Sequence, residues 1–339
     1  MKRILFLTIA LMGISMSLLA ASNAKCLLQH QGSVKIYDAS AIETAIKASV
    51  DGDTIFLTEG QFPGFTVNKK ITVRGAGQST YVTSDVSISI SGSPTLTQTV
   101  LEGLNLNNWR ITVTTSINGI KIKQCKAGAL YCEAKNSAFM LDRCCIGRNS
   151  DENIGIEYSN IIELTAVNSM IKIGYDYIDA GSFSFVNCNV MLSNPYNCYG
   201  DFINSVVVIK GDTSNPILNG FTDTIRNSNF SYCLINSSYY YYTNNYYGHP
   251  SYYESNISLD NSSCTANNCY YTTGYDTKFY DIKTLENSDY IGNDGTIVGL
   301  YGGLTPYTLD LDVPKVTENT IVLDPISKTL NISLKVSAN

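Results

Sequence analysis

The strongest constraint in this chain is a recurrence of short apolar runs. VLEGLNLNNW, GIKIKQCKAG, AFMLDRCCIG, IIELTAVNSMIKIG, SFSFVNCNVML, FINSVVVIKG and TIRNSNFSYCLI follow one another between residues 100 and 235. Each is rich in β-branched and aromatic residues, and polar or glycine punctuation separates them at a spacing of roughly 20 to 24 residues. One such unit cannot bury its apolar side alone, so successive units must stack on one another. The period therefore predicts an all-β, single-stranded right-handed parallel β-helix. The main rival, an antiparallel sandwich, would require tight two-residue hairpin turns, for which Asn118-Gly119 and Asn219-Gly220 are the few candidates.

Several details belong to the same reading. Cys125, Cys144, Cys188 and Cys233 each close a strand-like run, a recurrence expected of stacked core positions occupied by free thiols. Asn168, Asn187 and Asn229 recur near the apolar runs and suggest a ladder of side-chain amides exchanging hydrogen bonds along the stack. Cys264 and Cys269, close together in a loop-like stretch, are the best candidates for a disulfide among the ten cysteines.

One helix precedes the repeats, over 40–50. Ser40-Ala41-Ile42-Glu43 reads as a capping box, Ile42, Ala45 and Ile46 share a face, and Gly52 marks the stop. Such a helix suits the covering of an open strand stack. Three β-prone runs follow at Thr54 to Leu57, Phe65 to Val67 and Ile71 to Arg74.

The segment from Ala41 to Gly77 resembles the opening of the pectate-lyase-like superfamily, also called the pectin lyase fold. The residues that carry the likeness are Gly52-Asp53-Thr54-Ile55, Glu59-Gly60-Gln61-Phe62 and Lys70-Ile71-Thr72-Val73-Arg74-Gly75-Ala76-Gly77. The resemblance is to secreted bacterial right-handed β-helix repeat proteins, and by repeat pattern it extends to about residue 270. It implies two kinds of chemistry on polysaccharide. Lyases use a lysine or arginine base, usually with calcium, and hydrolases use paired carboxylates with a histidine in a Gly-His-Gly setting.

The sequence lacks an adjacent Asp-Asp pair and that histidine. Its nearest substitute is a scatter of Asp142, Arg143, Arg148, Asp151 and Glu152, followed by Asp176, Asp179, Asp201, Asp212 and Asp223. Solvated turns are the plainer reading of each, so no catalytic residue is assigned. Calcium at Asp289 and Asp294 would have two carboxylates and no acidic series, which reads better as a turn, and no cofactor is expected. His30 and His249 are too few for a zinc site, and His249-Pro250 reads as a turn.

The ends complete the organisation. Met1-Lys2-Arg3 followed by an apolar run to Ala21, with Ser22-Asn23-Ala24 behind it, reads as a signal peptide over 1–24. The expected mature chain is therefore exported, to the periplasm, the outer surface or the medium, with no membrane-spanning segment. It comprises the β-helix at 25–303, whose last stretch, 289–303, is expected to close the rod, and a linker with a C-terminal β-hairpin tail at 304–339. The net charge of −6 becomes more negative once Lys2 and Arg3 are removed, which gives no reason to expect nucleic acid.

Residues 237–255 stand apart as a tyrosine-rich loop. Tyr239, Tyr240, Tyr241, Tyr242, Tyr246, Tyr247, Tyr252 and Tyr253 could present flat faces to sugar rings or pack on the flank of the rod. The leading expectation is a non-catalytic surface or cell-envelope protein that binds glycan. The alternatives are a polysaccharide lyase or glycoside hydrolase with a divergent site, and a rigid spacer.

Overall fold

The computed structural model describes residues 24–90, 99–135, 137–148, 155–157, 161–173, 182–192, 200–209, 224–225, 228–237, 240–244, 250–254, 258–259, 265–273, 279–286, 288–309, 315–324 and 329–337. The chain divides into two units, Met1–Leu309 and Asp310–Asn339. Of the segment expected to be a signal peptide, residues 1–23 lie outside the described residues.

The larger unit is predominantly β and is built on two twelve-stranded sheets. From Val100–Glu102 onward the chain alternates between them, placing each new strand beside its predecessor in the same sheet. In the first sheet these are Val100–Glu102, Ile120–Lys123, Ser137–Asp142, Ile161–Val167, Ser182–Val186, Gly200–Ile203, Ser228–Ser231 and Thr265–Asn267, all paired parallel. The second sheet takes the strands between, among them Arg110–Val113, Ala129–Cys132, Met170–Ile173, Asn189–Leu192, Val206–Ile209, Leu234–Ser237 and Tyr270–Thr273. The long parallel sheets agree with the expectation drawn from the repeat period.

Alternation within each strand decides what is buried. Ile120 and Ile122 face inward while Lys121 and Lys123 face outward, as a period of two requires. Inward residues fall in register from one strand to the next and form continuous columns. Phe185, Phe202 and Phe230 stack with ring centroids 4.8 and 5.0 Å apart and planes within 12° of parallel. Both centroid spacings are close to the distance between neighbouring strands, so the backbone ladder itself brings the rings together.

The turn from the first sheet toward the second uses one residue with positive φ. Gln124, Arg143, Asn168, Asn187, Asn204, Tyr232 and Asn268 all have φ between 44° and 53°. Asparagine tolerates this left-handed conformation better than most side chains, which explains its recurrence at four of the seven positions. Asn229, which the repeat pattern had grouped with Asn168 and Asn187, is instead an exposed strand residue donating to Asp201 Oδ1 at 2.8 Å. The amides of Asn168, Asn187 and Asn204 bond to a later segment of the chain rather than to one another.

The start of the unit is more elaborate than its sequence suggests. Lys25–His30 and Ser33–Asp38 form a hairpin, and Lys25–His30 also pairs antiparallel with Thr54–Leu57. The helix, α1, is shorter than expected, Ile42–Ala48, and buries Ile42, Ala45 and Ile46. Ser40 does not cap it, because Ala39–Ala41 forms a 3-10 turn ahead of it and no side-chain cap bond is made. The Glu43 carboxylate turns away from the helix to accept the Thr66 N–H at 2.7 Å. At the other end Lys69 Nζ donates to the carbonyls of Ile46 and Lys47, where a cation complements the helix dipole.

The segment 289–303, expected to close the end of the repeats, instead packs along the second sheet. Phe279–Leu285 forms a 3-10 helix, and residues 288–309 continue as a strap across the outer surface of the second sheet. Outward residues Cys145, Met170, Met191, Val206, Val208 and Leu234 meet Phe279, Ile282, Val298 and Leu300 in a second apolar core. Asn204, Asn189 and Asn168 bond the strap in turn, to Asn293, to Leu300 and to Gly302, so it crosses the strands in reverse chain order. Gly303, at φ +76°, lies so near the Asn187 amide that a Cβ would collide with it.

The smaller unit is an antiparallel pair, Lys315–Asp324 with Thr329–Ser337, in which Leu323 faces Leu330. Tyr240–Asn244 and Pro250–Glu254, read from the sequence as loop, also pair antiparallel, with Tyr241 opposite Tyr253 and Tyr242 opposite Tyr252. Tyr239, Tyr246, Tyr247 and His249 lie outside the described residues.

Candidate functional site

The two sheets differ in what their outer faces carry. The strap covers the second sheet over the strands that carry Cys145 to Leu234, whereas most outward side chains of the first are exposed or half-buried. Two outward columns run down that open face. One aligns Arg74, Glu102, Lys123, Asp142, Val167, Val186, Ile203, Ser231 and Asn267. Its neighbour aligns Thr72, Val100, Lys121, Met140, Thr165, Ser184, Asp201 and Asn229.

Charge gathers at one end of this face. Glu102 is 3% exposed and sits between two cations, accepting from Arg74 Nε and lying 3.0 Å from Lys123 Nζ. Asp142 lies 3.6 Å from Lys121 Nζ and 3.1 Å from Arg143 Nε. The signs alternate along the column because each strand adds one charge directly above its opposite, the favourable cross-strand arrangement. Beyond Asp142 the column turns apolar and then neutral polar.

The acid–base scatter read from the sequence is thereby sorted. Asp142 and Arg143 come together in this cluster, with Lys121 beside them. Asp201 lies farther along the open face with its carboxylate on Asn229, and Arg148 is placed by the second sheet, where its carbonyl accepts from Lys172. Asp151, Glu152, Asp176, Asp179, Asp212 and Asp223 lie outside the described residues. Sequence reasoning missed Arg74, Glu102, Lys121 and Lys123 as partners. Their signal was present in the repeats, since each is an outward position of a short alternating run, but it appears only once the runs are aligned strand by strand.

Asp294, one of the two carboxylates considered for calcium, is spent on its own turn. It accepts from the Thr296 N–H at 3.0 Å and the Thr296 hydroxyl at 2.8 Å, and the Asn187 amide lies 3.4 Å away. Burial pushes this carboxyl upward, but those hydrogen bonds outweigh it and hold the group below its ordinary range. Asp289 is exposed. Among the described residues no group of three or more His, Cys, Asp or Glu side chains could hold a metal ion.

His30 is the described histidine. Its Nδ1 lies 2.7 Å from Asp53 Oδ1, and Asp53 Oδ2 accepts the Val50 N–H at 2.8 Å. The pair ties the first hairpin to the turn after α1.

Comparison with protein-family models, with curated proteins and with solved structures finds no match for this chain. Among the described residues no helix is long and apolar enough to cross a membrane.

Proposed function

We propose that this chain is an exported right-handed parallel β-helix of the pectate-lyase-like type that binds an extended glycan along the open face of its first sheet, without turning it over. The alternation of strands between two parallel sheets supports the helix, and the strong preference of parallel crossovers for the right hand supports its sense. The signal-like first residues motivate export.

The observation that carries the binding reading is the pairing of Glu102 with Arg74 and Lys123. The most buried carboxylate of the open face is engaged by two cations, which occupy its oxygens and leave it turned to its own neighbours rather than to a reacting atom. The remainder of the face offers rows of hydroxyl, amide and small apolar groups repeated at the strand spacing of about 4.8 Å. That regular, mostly neutral surface suits many weak contacts to a linear chain. The tyrosines of the paired strands Tyr240–Asn244 and Pro250–Glu254 would add ring-stacking surface.

A second reading is a polysaccharide lyase or glycoside hydrolase with a divergent site. What favours it is the convergence of Glu102, Asp142, Lys121 and Lys123 on one face. The deciding experiment incubates purified protein with a panel of polysaccharides while measuring retention, unsaturated product and new reducing ends. Retention without product, weakened when Thr165 and Ser184 are changed to bulky residues, supports binding. Product formation abolished by Glu102→Gln or Asp142→Asn would establish the enzyme instead.

A further inference from the structure

One position immediately after the left-handed turn residue recurs in seven successive strand passes: Cys125, Cys144, Ser169, Cys188, Ser205, Cys233 and Cys269. Backbone hydrogen bonds stack them in that order, the N–H of the following residue donating each time to the carbonyl of the position below. Tyr270 N to Cys233 O, at 2.8 Å, is the last of these bonds. Thiol and hydroxyl do the same work here. Cys188 Sγ donates to Val186 O at 3.3 Å, while Ser169 and Ser205 donate to the equivalent carbonyls, Val167 O and Ile203 O, at 2.8 Å.

Two cysteine pairs are direct neighbours in this ladder, and their settings differ. Cys125 and Cys144 are both wholly buried. Cys233 is wholly buried, but Cys269 is partly exposed, and the strands on either side of it, Thr265–Asn267 and Tyr270–Thr273, are the last of their sheets. Register on both sides, Ser231 with Asn267 and Leu234 with Tyr270, places Cys233 directly against Cys269. In-register neighbours on adjacent strands are about 4.8 Å apart at Cα, inside the range of about 4.4 to 6.8 Å that a disulfide requires.

We propose that Cys269 and Cys233 form a thiol–disulfide exchange site, with Cys269 attacking and Cys233 resolving, that reacts with small or protein-borne disulfides. The Cys269 thiolate attacks one sulfur of the incoming disulfide, forming a mixed disulfide and releasing one thiolate. Cys233 then loses its proton to that thiolate and attacks Cys269 Sγ, expelling the second. The protein gains one disulfide as the oxidant is reduced to two thiols. The product bond would lock the last strand pass onto the one before it. A hydrogen bond from the Cys233 thiol favours the thiolate at Cys269, while burial disfavours it at Cys233, an asymmetry that suits these roles. Cys264, the partner suggested by sequence proximity, lies outside the described residues.

The test uses the reduced full-length protein with oxidised glutathione near neutral pH, followed by intact mass and peptide mapping under non-reducing conditions. The expected product is a single internal disulfide joining the Cys233 and Cys269 peptides, with Cys125 and Cys144 still reduced. Cys233→Ser should fold, because serine already fills this position at 169 and 205, and should arrest at one glutathione adduct on Cys269. In the reduced native protein Cys269 should be alkylated at least about tenfold faster than the buried ladder thiols. A disulfide from Cys269 to Cys264 or to any cysteine other than Cys233, or a stable adduct on Cys269 when Cys233 is intact, would overturn the proposal. So would oxidation of Cys125 and Cys144 at the same rate.

Discussion

Asn189 donates its side-chain amide to Glu286 Oε1 at 2.6 Å across 97 residues of sequence, and the two together grip the strap. The Leu300 N–H reaches Glu286 Oε1 at 3.0 Å and Asn189 Oδ1 at 3.2 Å, and the Tyr301 N–H reaches Glu286 Oε2 at 3.1 Å. The second sheet, the strap and a half-buried carboxylate are thus joined by the Asn189 amide and the N–H groups of Leu300 and Tyr301.

Removal of this carboxylate is expected to loosen the strap before the sheets unfold. Glu286→Ala leaves the Tyr301 N–H and the Asn189 amide without their acceptor, at about 1–3 kcal/mol. Amide exchange over 288–303 should accelerate while the strands of the first sheet keep their protection. A dye that binds exposed apolar surface should respond, because Met170, Met191 and Val206 lie beneath. Unchanged exchange in the strap would show that its apolar contacts alone hold it.

Two carboxylates should pull the acid limb of stability in opposite directions. Burial raises Glu286 above its ordinary 4.5, outweighing its hydrogen bonds. Its contribution is full below that value and is lost as pH rises through the elevated one. Burial also acts to raise Asp53, but the Val50 N–H and His30 outweigh it and hold the carboxyl below its ordinary 3.8. Its contribution is present above 3.8 and lost as pH falls through the lowered value. Denaturant midpoints measured from pH 3 to 7, a range of about four units around these values, should therefore change slope in opposite senses for Glu286→Gln and Asp53→Asn. A shared sense would contradict the assignment.

Tyr232 occupies a left-handed turn, φ 53°, that asparagine occupies elsewhere in the stack. Tyr232→Asn should stabilise the protein by about 0.5–1 kcal/mol, because the short polar side chain of asparagine can hydrogen-bond locally in that conformation whereas the tyrosine ring cannot. Urea unfolding would read the gain as a raised midpoint at unchanged slope. Destabilisation would mean that packing of the tyrosine ring outweighs the backbone term.

Phe202 lies between Phe185 and Phe230 in the inner column. Phe202→Ala should cost about 3–5 kcal/mol, since a cavity between stacked rings on a hydrogen-bonded ladder has little freedom to collapse. Phe202→Leu should cost much less. Equal losses would argue that ring stacking, rather than volume, sets the energy.

The parallel-stacked β character was legible in the repeats alone, because a period of about 20–24 residues with apolar runs too short to bury themselves leaves few other solutions. The sequence also placed Cys125, Cys144, Cys188 and Cys233 together in the core, since equivalent positions in equal repeats must stack. Elements that depend on distant partners were decided only by the tertiary structure. The capping box failed because the carboxylate of Glu43 found the Thr66 N–H instead. The strap was misplaced because nothing local to 289–303 records that Asn168, Asn187, Asn189 and Asn204 wait on the side of the stack. Likewise Arg74, Glu102, Lys123 and Asp142 stand 68 positions apart from first to last and become one column of alternating charge only through strand register. Periodicity is a local property and survives in one dimension, whereas hydrogen-bond and charge partners are chosen by proximity in three.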